Sequence, residues 1–214
     1  IKDMSVKSGG TDKDLDFDIG NKAVILGLLR KKIYSNPIKS ICQELLSNCR
    51  DAHRETGQSN KRILVEISGK NRYYSVQDFG PGISPSRMED IYTKYGNSTK
   101  RGDNNQTGGF GLVAKTPFAL VDSFTIDTAS QDDSGNITRR IYNAFIDSTG
   151  IGKVRLISEN TASETGTKIS FTLPEDIEPH NFLEHTREVT AFWADRPQII
   201  TELSMSGRFD TLLT

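Results

Sequence analysis

One segment, residues 37–56, constrains the fold of this chain most strongly because it carries a complete helix pattern. Asn36 suits the N-terminal cap, Pro37 the first helical position and Gly57 the position just past the end. At about 100° per residue, the apolar side chains fall on one arc of roughly 140°. This arc predicts a core-facing stripe formed by Ile38, Ile41, Cys42, Leu45, Leu46, Cys49 and Ala52.

A polar stripe lies on another face of the same predicted helix. Glu44, Asn48 and Asp51 are spaced i, i+4 and i+7, which places them within about 60° of one another. Most such rows are solvated surfaces. A carboxylate and an amide one turn apart can also hold a hydrated cation and activate a water, because Mg2+ takes oxygen ligands and keeps several waters. His53 falls at the edge of the apolar arc and is interpreted as structural.

Composition limits the classes of protein to consider. The 214 residues suffice for one domain with a substantial core, and the 27 basic and 28 acidic residues nearly cancel. This balance argues against a dominant nucleic-acid-binding surface. No apolar run approaches the roughly 18 residues of a membrane span, and the first residues do not resemble a signal peptide. Cys42 and Cys49 are predicted to be buried, reduced thiols, as is typical of a cytoplasmic protein.

Alternation and helical periodicity predict the remaining elements. A β-hairpin is expected over 63–76, and helices over 22–33 and 86–92. The second half alternates in strand fashion without crossover helices, which predicts an antiparallel meander of strands 123–128, 138–147, 153–158 and 168–173. A final helix over 178–193 and a strand-like stretch over 196–204 follow.

Two glycine-containing segments have the composition of ligand-contacting loops. Asp78-Phe79-Gly80-Pro81-Gly82 follows a predicted strand, where glycines permit a tight turn or close backbone approach. Residues 94–107 lack apolar periodicity, as lids over ligands often do. Gly108-Gly109-Phe110-Gly111 then leads into a predicted helix start, whose unpaired N–H groups suit a phosphate.

Taken in order, these features resemble the GHKL ATPases. This superfamily comprises gyrase, the heat-shock chaperones related to gyrase, histidine kinases and MutL. The resemblance covers residues 19–173 and implies the Bergerat fold, an α+β two-layer sandwich with a mixed, mostly antiparallel sheet covered on one face by helices. Segments 78–82, 95–100 and 108–118 are similar to the N-terminal domain of the rIIA proteins of T-even bacteriophages. The implied organisation is a flexible arm over 1–18, an ATP-binding domain over 19–174 and a helix-and-strand extension over 175–214 that could begin a transducer domain.

The resemblance implies a role for each polar residue of the motifs. Glu44 is the expected general base that deprotonates the attacking water. Asn48 is expected to give its amide oxygen to Mg2+. Asp51 would support the site near the ribose or base, whereas Asp78 would accept a hydrogen bond from the adenine amino group. Thr167 would contact the same edge of adenine.

The resemblance also assigns the two glycine-containing loops. Gly80 and Gly82 are expected to let the backbone approach the base. The phosphates are expected to contact the second loop and the first turn after it, through Gly108, Gly109, Phe110, Gly111, Leu112 and Lys115. Val113 departs from the family, since many members carry a further glycine there, and a β-branched residue does not readily adopt a positive φ.

The implied function is Mg-ATP binding with slow hydrolysis to ADP and phosphate. ATP would order the lid and drive two copies to associate, making the domain a conformational switch in the cytoplasm of an infected bacterium, with peripheral membrane association left open. Two alternatives remain. A histidine-kinase-type catalytic domain usually has an Ala-x-Lys type sequence after the asparagine, where this chain has Asp51-Ala52-His53. A scaffold that has lost nucleotide is supported only by Val113.

Overall fold

The central helix forms where the sequence predicts it. The computed structural model describes residues 15–16, 36–57, 60–93, 116–150, 152–205 and 208–213. Helix α1 spans Pro37–Thr56; Asn36 Oδ1 accepts a hydrogen bond from the Lys39 N–H at 3.0 Å, and Gly57 ends the helix at φ +64°. Six of the predicted apolar positions are buried and Ala52 is half-buried. The predicted start, end and core face of this helix are therefore confirmed.

One mixed sheet forms the second layer. In the part of the chain that the structure describes, nine strands are ordered β1-β6-β5-β4-β7-β3-β2-β8-β9, and only the β2–β8 pair is parallel. The strands are β1 Leu15–Asp16, β2 Leu64–Ser68, β3 Tyr73–Gln77, β4 Ser123–Gln131, β5 Ile137–Ile146, β6 Gly152–Thr161, β7 Gly166–Thr172, β8 Gln198–Met205 and β9 Arg208–Leu213.

The predicted meander is wrong at its last strand. β4, β5 and β6 are consecutive neighbours, but β7 pairs with β4 and β3 rather than with β6. Burial explains the difference: Phe171 of β7 is 4% exposed, whereas Leu156 and Ile157 of β6 are 42% and 59% exposed. β7 therefore occupies the centre of the sheet beneath the helices, where Phe171 packs against Phe182 and both strand edges are paired.

Helices cover one face of this sheet. They are α1, α2 over Pro85–Thr93 and α3 over Pro179–Thr190, with a short 3₁₀ helix over Thr116–Ala119. α3 packs beside α1, where Asn36 Nδ2 donates to His185 Nε2 at 3.1 Å. Beneath them, Tyr74, Phe171 and Phe182 form an aromatic cluster with ring centroids 4.4 to 5.9 Å apart. The α+β two-layer architecture is confirmed.

Several predictions fall on residues that the structure does not describe. These are the helix over 22–33, the lid over 94–107, and the loop and helix start that hold Gly108, Gly109, Phe110, Gly111, Leu112, Val113 and Lys115. The domain boundary after residue 174 stays a prediction. No helix in the described ranges combines the length and the apolar content that a membrane crossing requires.

Candidate functional site

The loop after β3 places a carboxylate inside the protein. Asp78 is 6% exposed, and its Oδ1 accepts the N–H of Gly80 at 2.9 Å and the N–H of Thr167 at 3.2 Å. The Asp78 N–H in turn donates to the Thr167 carbonyl at 2.9 Å. The side chain is therefore fixed by its own loop and by the start of β7.

Burial makes this carboxylate unusually basic. It raises the pKa of Asp78 from 3.8 to about 6, while hydrogen bonds from Gly80, Thr167 and the Cys49 thiol oppose that increase. Asp78 makes no ion pair within the described residues. A buried carboxylate without a cation is stabilised by further donors, so this position favours a ligand that brings an N–H group.

Threonines extend the polar cluster along β4 and β7. Thr167 Oγ1 lies 2.8 Å from Thr128 Oγ1, and both side chains are buried. Thr128 Oγ1 also accepts the Ile83 N–H at 2.8 Å. The two hydroxyls thus tie the far end of the Asp78 loop to the sheet, and the structure brings Thr167 next to Asp78 as the sequence predicts.

The loop glycines have a packing reason in this structure. A Cβ on Gly80 would lie 2.7 Å from Ala52 Cβ, and a Cβ on Gly82, at φ +73°, would lie 1.9 Å from the Ala129 carbonyl oxygen. Neither position tolerates a side chain without movement of backbone. Their predicted approach to a base stays a prediction, beside this contact of the loop with α1 and β4.

α1 contacts the Asp78 loop through a face that the sequence assigned to the core. Cys49 hydrogen-bonds Asp78, Ala52 touches Gly80, and His53 Nε2 accepts the Phe79 N–H at 2.9 Å. Burial lowers the pKa of His53, and the charge of Asp195 partly offsets this effect. These three residues follow i, i+3, i+4 spacing, so one side of the helix supports the loop.

The polar stripe of α1 is only partly solvated. Glu44 and Asn48 are half-buried, and burial raises the pKa of Glu44 above its ordinary value. Asp51, one turn further on, is exposed, and its Oδ1 lies 3.4 Å from Arg54 Nη1. The structure therefore joins Asp78, Thr167, Gly80 and Gly82 in one cluster, while Asp51 faces solvent beside Arg54.

The sequence places Cys49 on the apolar face of α1 and His53 at its edge, but it does not show that they support the Asp78 loop. Cys49 contacts Asp78, about 29 positions further along the chain, and His53 contacts Phe79, 26 positions further along. Helical periodicity reports only that they face inward. The available signal was the i, i+4 spacing of two polarisable side chains on the face that must meet the next strand.

A cleft of about 480 Å3 opens beside the start of β7 and adjoins the Asp78 cluster, although Asp78 itself does not line it. Phe79, Asp127, Arg139 and Glu164 line it, and its charges are paired: Arg139 Nε donates to Asp127 Oδ1 at 2.7 Å, and Lys61 Nζ lies 2.8 Å from Glu164 Oε1. Thr167 also lines this cleft, whereas Gly80 and Gly82 do not.

Comparisons with known proteins find similarity to one family of ATPases. The model of the family described as histidine kinase-, DNA gyrase B- and HSP90-like ATPase matches residues 34–177. The chain is 34% identical to the sensor protein CitS of Halalkalibacterium halodurans over 101 residues, which are 46% of this chain and 18% of that protein. It is 25% identical to the chaperone protein HtpG of Fusobacterium nucleatum over 183 residues, 75% of this chain and 29% of that protein. The matches thus span less than a third of either relative.

Proposed function

Because the chain belongs to the histidine kinase-, DNA gyrase B- and HSP90-like ATPase family, we propose that its Asp78 cluster binds the adenine of Mg-ATP. Asp78 would accept a hydrogen bond from the exocyclic amine, and Thr167 would contact the same edge of the base. Hydrolysis to ADP and phosphate at a low rate completes the proposed activity.

The observation that carries this proposal is the buried carboxylate. Asp78 Oδ1 is occupied by two backbone donors, and no cation of the described residues neutralises the group. A neutral amino group of a base supplies a further hydrogen bond without burying a second charge. The residues present therefore fit an adenine.

Glu44 and Asn48 supply the chemistry at the other end of the proposed site. Mg2+, held by the Asn48 amide oxygen and by phosphate oxygens, would neutralise charge that develops on the phosphates. Glu44 is half-buried with a raised pKa, which suits a general base that takes a proton from water. Asp51 is assigned a supporting role near the ribose or base.

The phosphate contacts are assigned to residues outside the described ranges. Gly108, Gly109, Phe110 and Gly111 would present backbone N–H groups, and Leu112 and Lys115 would extend the contact into the first helical turn. Val113 would alter the loop backbone relative to members that carry glycine there. We expect this substitution to weaken nucleotide binding or lid closure rather than to abolish the site.

A wider role follows if ATP binding also orders the lid. We propose that two copies associate with ATP bound and separate after hydrolysis, in a cytoplasmic, phage-encoded protein of the rIIA type. The similarity of segments 78–82, 95–100 and 108–118 to those proteins supports this assignment. Light scattering with and without a non-hydrolysable ATP analogue tests it, and an unchanged molar mass in the full-length protein would contradict it.

A second candidate is phosphoryl transfer of the histidine-kinase type, favoured by the 34% identity to a sensor protein. The two candidates differ in where the γ-phosphate goes. Release of labelled phosphate to solvent supports hydrolysis, whereas label transferred to a histidine of a partner protein supports the kinase reaction. Asp51-Ala52-His53 after Asn48 favours hydrolysis.

The direct experiment is calorimetric titration of a non-hydrolysable ATP analogue with Mg2+ into the unmutated chain and two variants. We expect Asp78→Asn to abolish detectable binding, because the amide presents a donor toward the adenine amine. Glu44→Ala should keep the affinity within a few-fold and remove hydrolysis. Equal binding by the unmutated chain and Asp78→Asn would contradict the assignment of adenine to Asp78.

A further inference from the structure

His53 joins α1 to the loop that carries Asp78. Its side chain is buried, and its Nε2 accepts the Phe79 N–H at 2.9 Å. A backbone N–H can only donate, so Nε2 must carry a lone pair and the ring is neutral with its proton on Nδ1. This tautomer is assigned from the hydrogen-bond geometry.

The Phe79 N–H is the middle one of three consecutive N–H groups, each with a different partner. Asp78 N–H donates to the Thr167 carbonyl of β7, Phe79 N–H to His53 of α1, and Gly80 N–H to the Asp78 carboxylate. Only the middle hydrogen bond comes from α1. Cys49 of α1 holds the Asp78 side chain, whereas the His53 hydrogen bond holds the loop backbone at a fixed height above the helix that also carries Glu44 and Asn48.

Steric contact reinforces the same link but does not replace it. A Cβ on Gly80 would lie within 2.7 Å of Ala52 Cβ, so the loop already touches α1 one residue before His53. Van der Waals contact limits how near the loop can come, whereas a hydrogen bond also limits how far it can move and how it is turned. The orientation of the peptide between Asp78 and Phe79 depends on the hydrogen bond.

We propose that His53 is a positioning residue for adenine recognition, which sets the Asp78 carboxylate relative to Glu44 and Asn48 by accepting the Phe79 N–H. The inference rests on the proposed function, because only a ligand that spans Asp78 and α1 detects this spacing. It gives a role in recognition to a residue that the sequence marks only as structural, and it predicts an effect on base selectivity.

A merely structural histidine predicts a different result. Its loss would lower the stability of the protein and weaken the binding of every nucleotide alike. A positioning residue changes the preference for adenine over guanine nucleotides, because the guanine base lacks the amino group that Asp78 reads at that position. The ratio of the two affinities is therefore the informative quantity.

Two amide variants separate the acceptor from the ring. Gln places its Oε1 the same number of bonds from the backbone as His Nε2, whereas the Asn oxygen is one bond short. We expect His53→Gln to keep the ATP-analogue affinity within about twofold, and His53→Asn and His53→Leu to lower it about tenfold. The matched control is His180→Asn, since His180 is exposed and its Nε2 lies 3.0 Å from Glu184 Oε1.

The experiment is calorimetric titration of each variant with non-hydrolysable ATP and GTP analogues in the presence of Mg2+, with thermal melting of the same samples. We expect His53→Asn to lower the ratio of ATP-analogue to GTP-analogue affinity by about the same factor as it lowers the ATP-analogue affinity. His53→Gln and His180→Asn should leave both the ratio and the ATP-analogue affinity unchanged. If His53→Leu does not fold, the comparison is made between His53→Asn and His53→Gln alone.

Three outcomes overturn the inference. If His53→Asn and His53→Gln bind the ATP analogue equally well with unchanged preference, His53 does not position the loop. If His53→Asn weakens ATP and GTP analogues by the same factor and lowers the melting temperature, the residue is only structural. In these two cases Asp78→Asn still tests the adenine site separately. The third outcome is that the unmutated chain binds no nucleotide, which would reject the proposed function and this inference together.

Discussion

Asp78 is held in a position that lowers the stability of the folded protein at neutral pH. Its pKa is about 6 in the folded state against 3.8 ordinarily. The folded chain therefore binds a proton more readily than the unfolded chain, and stability falls as the pH rises from about 4 to 6. Binding sites often retain such a cost because the strained or buried group is needed for function.

We therefore predict that Asp78→Asn makes the protein more stable while it removes nucleotide binding. The gain above pH 6 is expected to be of the order of 1–3 kcal/mol, because a pKa difference of about two units corresponds to about 3 kcal/mol. The gain should shrink as the pH falls and vanish below about 4, where the unmutated carboxyl is protonated in both states. Urea denaturation at pH 8, 6 and 4 measures this difference.

The matched control for this prediction is Asp133→Asn, at an exposed position in the turn after β4. It should leave the free energy of unfolding within about 0.5 kcal/mol at every pH. A loss of stability in Asp78→Asn at pH 8 would show that the carboxylate is better satisfied than its burial indicates.

The sequence identified Asp78 and Thr167 but not the residues that hold them. Asp78 lies in a local pattern of five residues, which can be read without knowledge of the fold. The contacts of Cys49 and His53 with this loop depend on how α1 packs over the end of β3. Periodicity placed Cys49 on the apolar face and His53 at its edge, but it does not show which loop the two side chains contact.

At the scale of elements, the first and last residues of α1 were predicted correctly because the sequence signals that start and end a helix are local. Asn36, Pro37 and Gly57 each act within one helical turn. The pairing of β7 was missed because alternation shows which face of a strand is buried and not which strand lies beside it. Burial of Phe171, visible only in the fold, decides that pairing.

Asn36 has two roles that mutation can separate. Its Oδ1 caps α1 through the Lys39 N–H, and its Nδ2 donates to His185 of α3. We predict that Asn36→Ala lowers the free energy of unfolding by about 1–2 kcal/mol. Loss of the helix cap costs about 1 kcal/mol, and loss of the hydrogen bond to His185 adds to this cost. Urea denaturation at pH 7.5 measures the change.

Asn36→Asp is the informative comparison, because a carboxylate keeps the cap acceptor and removes the donor to His185. It should lose less stability than Asn36→Ala. Equal losses in the two variants would show that the hydrogen bond to α3, rather than the cap, accounts for the effect.

At the scale of the whole molecule, the residues after 174 belong to the same two layers as Asp78 and Thr167. Phe182 of α3 is fully buried against Tyr74 and Phe171, and β8 pairs with β2 in parallel. Arg72 also donates to the carbonyls of Pro174 and Ile177, each at 2.6 Å. These contacts join the predicted extension to the core.

We therefore predict that residues 19–174 alone do not form a cooperatively folded domain. Removing α3 uncovers Tyr74 and Phe171, and truncation of one buried aromatic side chain such as Phe182 already costs about 3–5 kcal/mol, a large part of the stability of a typical domain. Circular dichroism during thermal melting compares the segment with the 214-residue chain, with Phe192→Ser as a control because Phe192 is 99% exposed. A sharp melting transition and undiminished ATP-analogue binding by residues 19–174 would instead place a true domain boundary after residue 174.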